Sequence, residues 1–90
     1  MTEKAQQVLA LINSSNGRIF SCEFVKKDKT LRHMVCRIGV QKGVNGKGLT
    51  FDPLEKGLKP VYDMQKQAWR MINLETTIAL KVKGETHLFL

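Results

Sequence analysis

Little in this chain announces a chemistry. Among 90 residues there are two cysteines, two prolines, one tryptophan and one tyrosine, and aromatic side chains make up 7% of the whole. Two cysteines are too few for a disulfide scaffold and suit a reducing compartment. The longest apolar run, Val8-Leu9-Ala10-Leu11-Ile12, is five residues, far short of the ~18 a membrane-spanning helix needs. Met1-Thr2-Glu3-Lys4 carries neither the basic stretch nor the apolar segment of a secretory leader, so the expectation is a cytoplasmic protein with no membrane attachment. Acidic residues are also scarce. Eight Asp and Glu stand against 15 Lys and Arg, a formal net charge of +7 and a pI near 9.7. That balance permits an anionic partner without choosing one.

What is present is enough apolar material, 42%, to close one small core, so residues 1–90 are expected to form a single domain. The surplus charge is unevenly placed. Residues 1–17 and 71–90 each sum to zero, whereas residues 18–49 hold Arg18, Lys26, Lys27, Lys29, Arg32, Arg37, Lys42 and Lys47 against only Glu23 and Asp28. Clustered cations of this kind either meet a polyanion or make up an ordinary solvated face.

Ala5, Val8, Leu9 and Ile12 recur at helical spacing, which predicts an amphipathic helix over residues 2–13 with Thr2 as its N-cap, ended by Asn13-Ser14-Ser15-Asn16-Gly17. From Arg18 the period falls to two. Phe20, Cys22 and Phe24 share one side, and Met34, Cys36 and Ile38 share one side of a second run over residues 31–40, so a hairpin turning at Lys27-Asp28-Lys29 is expected. Residues 41–60 contain Gly43, Gly46, Gly48, Gly57, Pro53 and Pro60 and are expected to be loop, with Leu49-Thr50-Phe51 as a short pinned stretch. Further strands are expected at 61–63, 69–72 and 78–82, with an edge strand at 86–89 and a helical turn at Asn73-Leu74-Glu75-Thr76. A mainly β domain follows: one N-terminal helix within residues 1–15, then a small barrel of five or six strands in residues 16–90.

Each candidate site has a bland alternative. Lys42-Gly43-Val44-Asn45-Gly46-Lys47-Gly48 suggests a phosphate loop, but Gly48 stands where a P-loop needs Ser or Thr and no helical pattern follows, so a basic loop approaching a phosphate backbone competes with a plain connecting loop. Cys22, His33, Cys36 and His87 are the soft metal-ligand types. They include no Cys-x-x-Cys, and His33 and Cys36 on one strand point to opposite faces. The two cysteines are expected to be small core residues that face each other across the hairpin if its turn centres on Lys29. Asp52, Glu55, Asp63 and His33 are scattered acid–base groups with nothing in the sequence to gather them. Tyr62 and Trp69, followed by Arg70, either stack on an exposed base or fill the core.

The segments Asn16-Gly17-Arg18-Ile19-Phe20-Ser21, Glu23-Phe24-Val25-Lys26-Lys27-Asp28, Leu31-Arg32, Cys36-Arg37-Ile38-Gly39-Val40, Val61-Tyr62-Asp63-Met64-Gln65 and Arg70-Met71-Ile72-Asn73-Leu74-Glu75-Thr76 resemble small bacteriophage-encoded SH3-like β-barrel proteins. The resemblance spans residues 13–83 and implies a phage or prophage origin, a five-stranded SH3-like barrel and action in the host cytoplasm. It brings no catalytic or binding residues with it. Similar sequences tend to have Gly after the hairpin Asp, where this chain has Lys29, which argues against a simple type I′ turn.

Two functions are expected from these features, neither enzymatic and neither needing a cofactor or metal. One is DNA or RNA binding through the basic hairpin and glycine-rich loop, with Arg18, Lys26, Lys27, Lys29, Arg32, Arg37, Lys42, Lys47 and Arg70 meeting the nucleic acid. The other is an adaptor or inhibitor that engages a host protein through a groove or an exposed strand edge.

Overall fold

A computed structural model describes residues 1–40 and 52–89. Helix α1 spans Glu3–Ser14, and the Thr2 side chain accepts a bond from the Ala5 N–H at its start. Ala5, Val8 and Ile12 are wholly buried, so the apolar stripe read from the sequence is the face that docks. At the other end Ser15 turns its buried hydroxyl back to the Ile12 carbonyl at 2.6 Å.

Six strands follow: β1 (Phe20–Val25), β2 (Leu31–Arg37), β3 (Leu58–Asp63), β4 (Ala68–Asn73), β5 (Thr77–Val82) and β6 (Glu85–Leu88). They form one antiparallel open sheet in the order β4-β3-β2-β1-β5-β6. Phe20, Cys22 and Phe24 of β1 and Met34 and Cys36 of β2 turn inward, onto Val61, Ile72, Leu74, Leu80, Val82 and the buried face of α1. A register shift where β1 meets β5, Glu23 facing Ala79 and Phe24 facing Thr77, leaves Ile78 as an extra residue on β5, a bulge that bends that strand. The sheet curls enough for β1 to approach β4, although two strands separate them in the ladder.

The β1–β2 turn shows why a type I′ geometry does not form. The Lys29 N–H bonds the Lys26 carbonyl, the Lys26 N–H bonds the Thr30 carbonyl, and Lys29 takes a positive φ of 73°. This is the three-residue loop in which a type I turn is followed by a left-handed residue. Asp28 stabilises it by accepting from the Thr30 N–H and hydroxyl. The loop is therefore centred on Asp28 rather than Lys29, and the register shifts accordingly: Cys22 lies opposite Met34, and Cys36 opposite Phe20. The two cysteines are diagonal neighbours and both are buried.

Two expectations about segment limits need correcting. Strand β2 ends at Arg37 instead of running to Val40, and Gly39 follows with φ 79°. The stretch expected to be loop to Pro60 already contains a 3-10 turn at Pro53–Lys56, stopped by Gly57 at φ 71°, and then the first half of β3. Pro60 is admitted because it pairs with Met71 of β4, while β2 reaches β3 only at Asp63 and Tyr62, so no ladder bond is asked of the missing N–H. Leu49-Thr50-Phe51 and the glycine-rich loop 42–48 lie outside the described residues. The turn expected at residues 73–76 is the 3-10 turn Leu74–Thr76, with the Asn73 side chain accepting from the Glu75 N–H at 3.0 Å.

Candidate nucleic-acid interface

The open end of the β1–β2 hairpin and the β3–β4 pair line a groove of about 220 Å³. Its apolar lining comes from Phe24, Met34, Leu58 and Met71, its polar lining from Asn73, and around these stand Lys26, Lys27, Arg32 and Arg70. The four cations arrive by three routes. Lys26 and Lys27 follow the last residue of β1, Arg32 is the second residue of β2, and Arg70 lies on β4 opposite Val61.

The charges are not equally free. Arg32 donates from Nη2 to Asp63 Oδ2 at 3.2 Å, and Asp63 is only 2% exposed. Asp63 also accepts from the backbone N–H groups of Gln65 and Lys66 at the β3–β4 turn. Burial on its own would raise the carboxyl's pKa, but the two N–H donors and Arg32 outweigh it and hold the pKa below the ordinary value. Lys26 lies 3.8 Å from Asp28, whose own carboxyl is held low, chiefly by the Thr30 hydroxyl and N–H. Lys27 and Arg70 are exposed and, among the described residues, pair with no carboxylate. They are the two positions at which an incoming anion meets positive charge not already balanced.

The remaining expected cations fall elsewhere. Lys29 is exposed on the turn but does not line the groove. Arg18 shares a shallow depression with Ile19, Val35, Lys81 and Lys83. Arg37 is half-buried opposite Tyr62, and its Nε is enclosed without a hydrogen-bond partner among the described residues. Lys42 and Lys47 lie outside the described residues. Among the described residues, Lys26, Lys27, Arg32 and Arg70 converge on the groove, whereas Arg18, Lys29 and Arg37 do not line it.

Tyr62 and Trp69 are directly opposed on β3 and β4, edge to face with ring centroids 5.7 Å apart. Tyr62 is buried at 8% exposure, so packing occupies it, while Trp69 keeps part of its surface outside. Asp52 is likewise committed, accepting from the Leu54 N–H at 3.1 Å to cap the 3-10 turn. His33 is exposed opposite Glu23, whereas Cys36 is wholly buried. Among the described residues no three His, Cys, Asp or Glu side chains gather as a metal site would require. Burial and the hydrogen bond with Cys22 push the Cys36 thiol far up, the hydrogen bond being the larger cause.

Sequence reasoning missed two sets of residues. Lys81 and Lys83 sit in a segment whose net charge is zero, but one of its two carboxylates, Glu75, is beside the start of α1, where it accepts from the Thr2 hydroxyl. Counting charge along the chain hides this separation. The groove lining of Met34, Leu58, Met71 and Asn73 joins three strands, β2, β3 and β4, and only their pairing in the sheet assembles it. Among the described residues no helix is long and apolar enough to cross a membrane. Comparison with protein-family models, curated proteins and solved structures finds no match to this chain.

Proposed function

We propose that this protein is a non-enzymatic nucleic-acid-binding module, a phage-type protein of SH3-like barrel architecture acting in the host cytoplasm. The observation that carries the binding reading is the convergence of Lys26, Lys27, Arg32 and Arg70 on one apolar groove. Phosphates supply the counter-charge for such a rim, and Lys27 and Arg70 are placed to take it. The barrel reading draws on the bulge in β5 beside β1, the pairing of β1 with both β2 and β5, and the approach of β1 to β4, the way a small sheet curls towards closure.

The test is a titration of labelled DNA and RNA oligonucleotides at two ionic strengths. Binding at low salt that weakens steeply as salt rises supports the reading; no binding at low salt overturns it.

A second reading, an adaptor or inhibitor of a host protein, rests on the outer face of the sheet. His33, Glu23, Ala79 and Leu88 form one cross-strand row ending at the short edge strand β6, where Leu88 is 64% exposed. Such an edge accepts an added strand. It predicts a discrete partner captured from host lysate that survives nuclease and is lost on Leu88→Lys; background proteins alone would remove its support.

A further inference from the structure

The groove is the wrong shape for a simple phosphate cradle. A site that only gathers backbone phosphates needs cations and N–H groups, whereas here the surface between the cations is Phe24, Met34, Leu58 and Met71. Such a surface is useful to an occupant that presents an apolar plane between two negative charges. Its volume, about 220 Å³, falls below the roughly 300–1,000 Å³ typical of sites for drug-sized ligands, so it admits one planar group.

Asn73 supplies the polar specificity such a group requires. Its Oδ1 is occupied by the Glu75 N–H at 3.0 Å, which leaves the Nδ2 donors for the groove it lines. An acceptor on the edge of a base would satisfy them. Thioether side chains suit the faces of an aromatic ring, being polarisable and adaptable.

Resting on the nucleic-acid reading above, we infer that the ligand is single-stranded nucleic acid with one unstacked base seated on the partly exposed Met71 and Leu58 and hydrogen-bonded to Asn73 Nδ2. The flanking phosphates lie against Lys26 and Lys27 on one side and Arg70 on the other. A duplex keeps its bases paired and stacked, and extruding one costs a few kcal/mol, so duplex DNA reaches the cations but not the apolar surface.

The experiment measures affinities of the full chain at low salt for three probes: a single-stranded oligonucleotide of about 10 nucleotides, the duplex of the same sequence, and inorganic polyphosphate. The expected result is single-strand affinity about tenfold or more above that for duplex or polyphosphate, the scale of one stacked base. Met71→Ala should remove most of this preference and leave polyphosphate affinity unchanged. Asn73→Ser, which retains a capping oxygen for the Glu75 N–H but withdraws the amide, should reduce it independently, and circular dichroism confirms that both variants are folded. Equal affinity for all three probes, or a preference unchanged in both variants, overturns the base-insertion inference while leaving polyanion binding intact. No affinity for any probe overturns polyanion binding itself, and this inference with it.

Discussion

Arg32 of β2 and Asp63 at the end of β3 are joined at 3.2 Å where the β3–β4 turn begins, the cation 27% and the carboxylate 3% exposed at their side chains. The pair fixes one wall of the groove to the turn that carries β4 and Arg70. Asp63→Asn removes the charge from a carboxylate that also accepts two turn N–H groups. It should cost about 1–2 kcal/mol at neutral pH, less than for a fully buried pair because Arg32 is still partly solvated.

The pH dependence follows from the sign of the shift. Asp63 has a folded pKa below its ordinary value of 3.8, so its contribution is fully present above that value and is lost as pH falls through the depressed one. In chemical denaturation the wild-type and Asp63→Asn proteins should differ at neutral pH, and the gap should close as pH falls below 3.8 and through the depressed value. A gap of the same size at both ends would show that the carboxylate's charge is not what stabilises the turn.

Cys22 and Cys36 are 2% and 0% exposed, and the Cys36 thiol is pushed far up by its hydrogen bond to Cys22 and by burial. Both should resist a maleimide or a disulfide reagent in the native protein and react promptly in denaturant. Rapid native labelling of either would place it outside the core.

Gly57 occupies φ 71° between the 3-10 turn and β3, and its carbonyl accepts the Leu74 N–H at 2.8 Å. A Cβ there would stand 2.9 Å from Glu75 Cγ, midway along a side chain whose carboxylate accepts from the Thr2 hydroxyl. Gly57→Ala therefore adds a close contact to the cost of the left-handed backbone, about 1–2 kcal/mol, and Gly57→Asn, which meets the same contact, should cost less because Asn tolerates that region. Thermal or urea denaturation of the two variants measures the difference.

The parts of the fold governed by local periodicity were legible from the residues. The stripe of Ala5, Val8 and Ile12, the Thr2 and Asn73 caps and the alternation of Phe20, Cys22 and Phe24 all depend on neighbours a few positions away, and all are present. The glycines and prolines of residues 41–60 predict loop throughout, but Leu58-Lys59-Pro60 is strand because β2 does not reach that far along β3, a fact of sheet geometry. The hairpin turn is at Lys27-Asp28-Lys29 as expected; centred on Asp28, it sets Cys22 opposite Met34, so the two cysteines do not face each other directly. At the candidate site, the cations were legible as residue types but their grouping was not. Arg18 and Arg32 are near in sequence, yet the curl of the sheet places Arg18 with Lys81 and Lys83 and Arg32 with Arg70.

Salt dependence should report how many cations act. Three or four phosphate contacts predict a slope of log K against log salt near −2 to −3 for a single strand, and Lys27→Ala should make it shallower by about 0.7. An unchanged slope would mean that Lys27 touches no phosphate.

The most direct measurement separates the groove from the net charge. Lys27→Glu/Arg70→Glu and Arg18→Glu/Lys83→Glu reverse the same number of charges, one pair at the groove and the other at the depression beside β5. Oligonucleotide affinity, measured for both at equal ionic strength, should fall by at least about a hundredfold in the groove variant, the scale of several lost phosphate contacts, and by only a few-fold in the other. Equal losses in the two would show that overall charge, and not this groove, holds the nucleic acid.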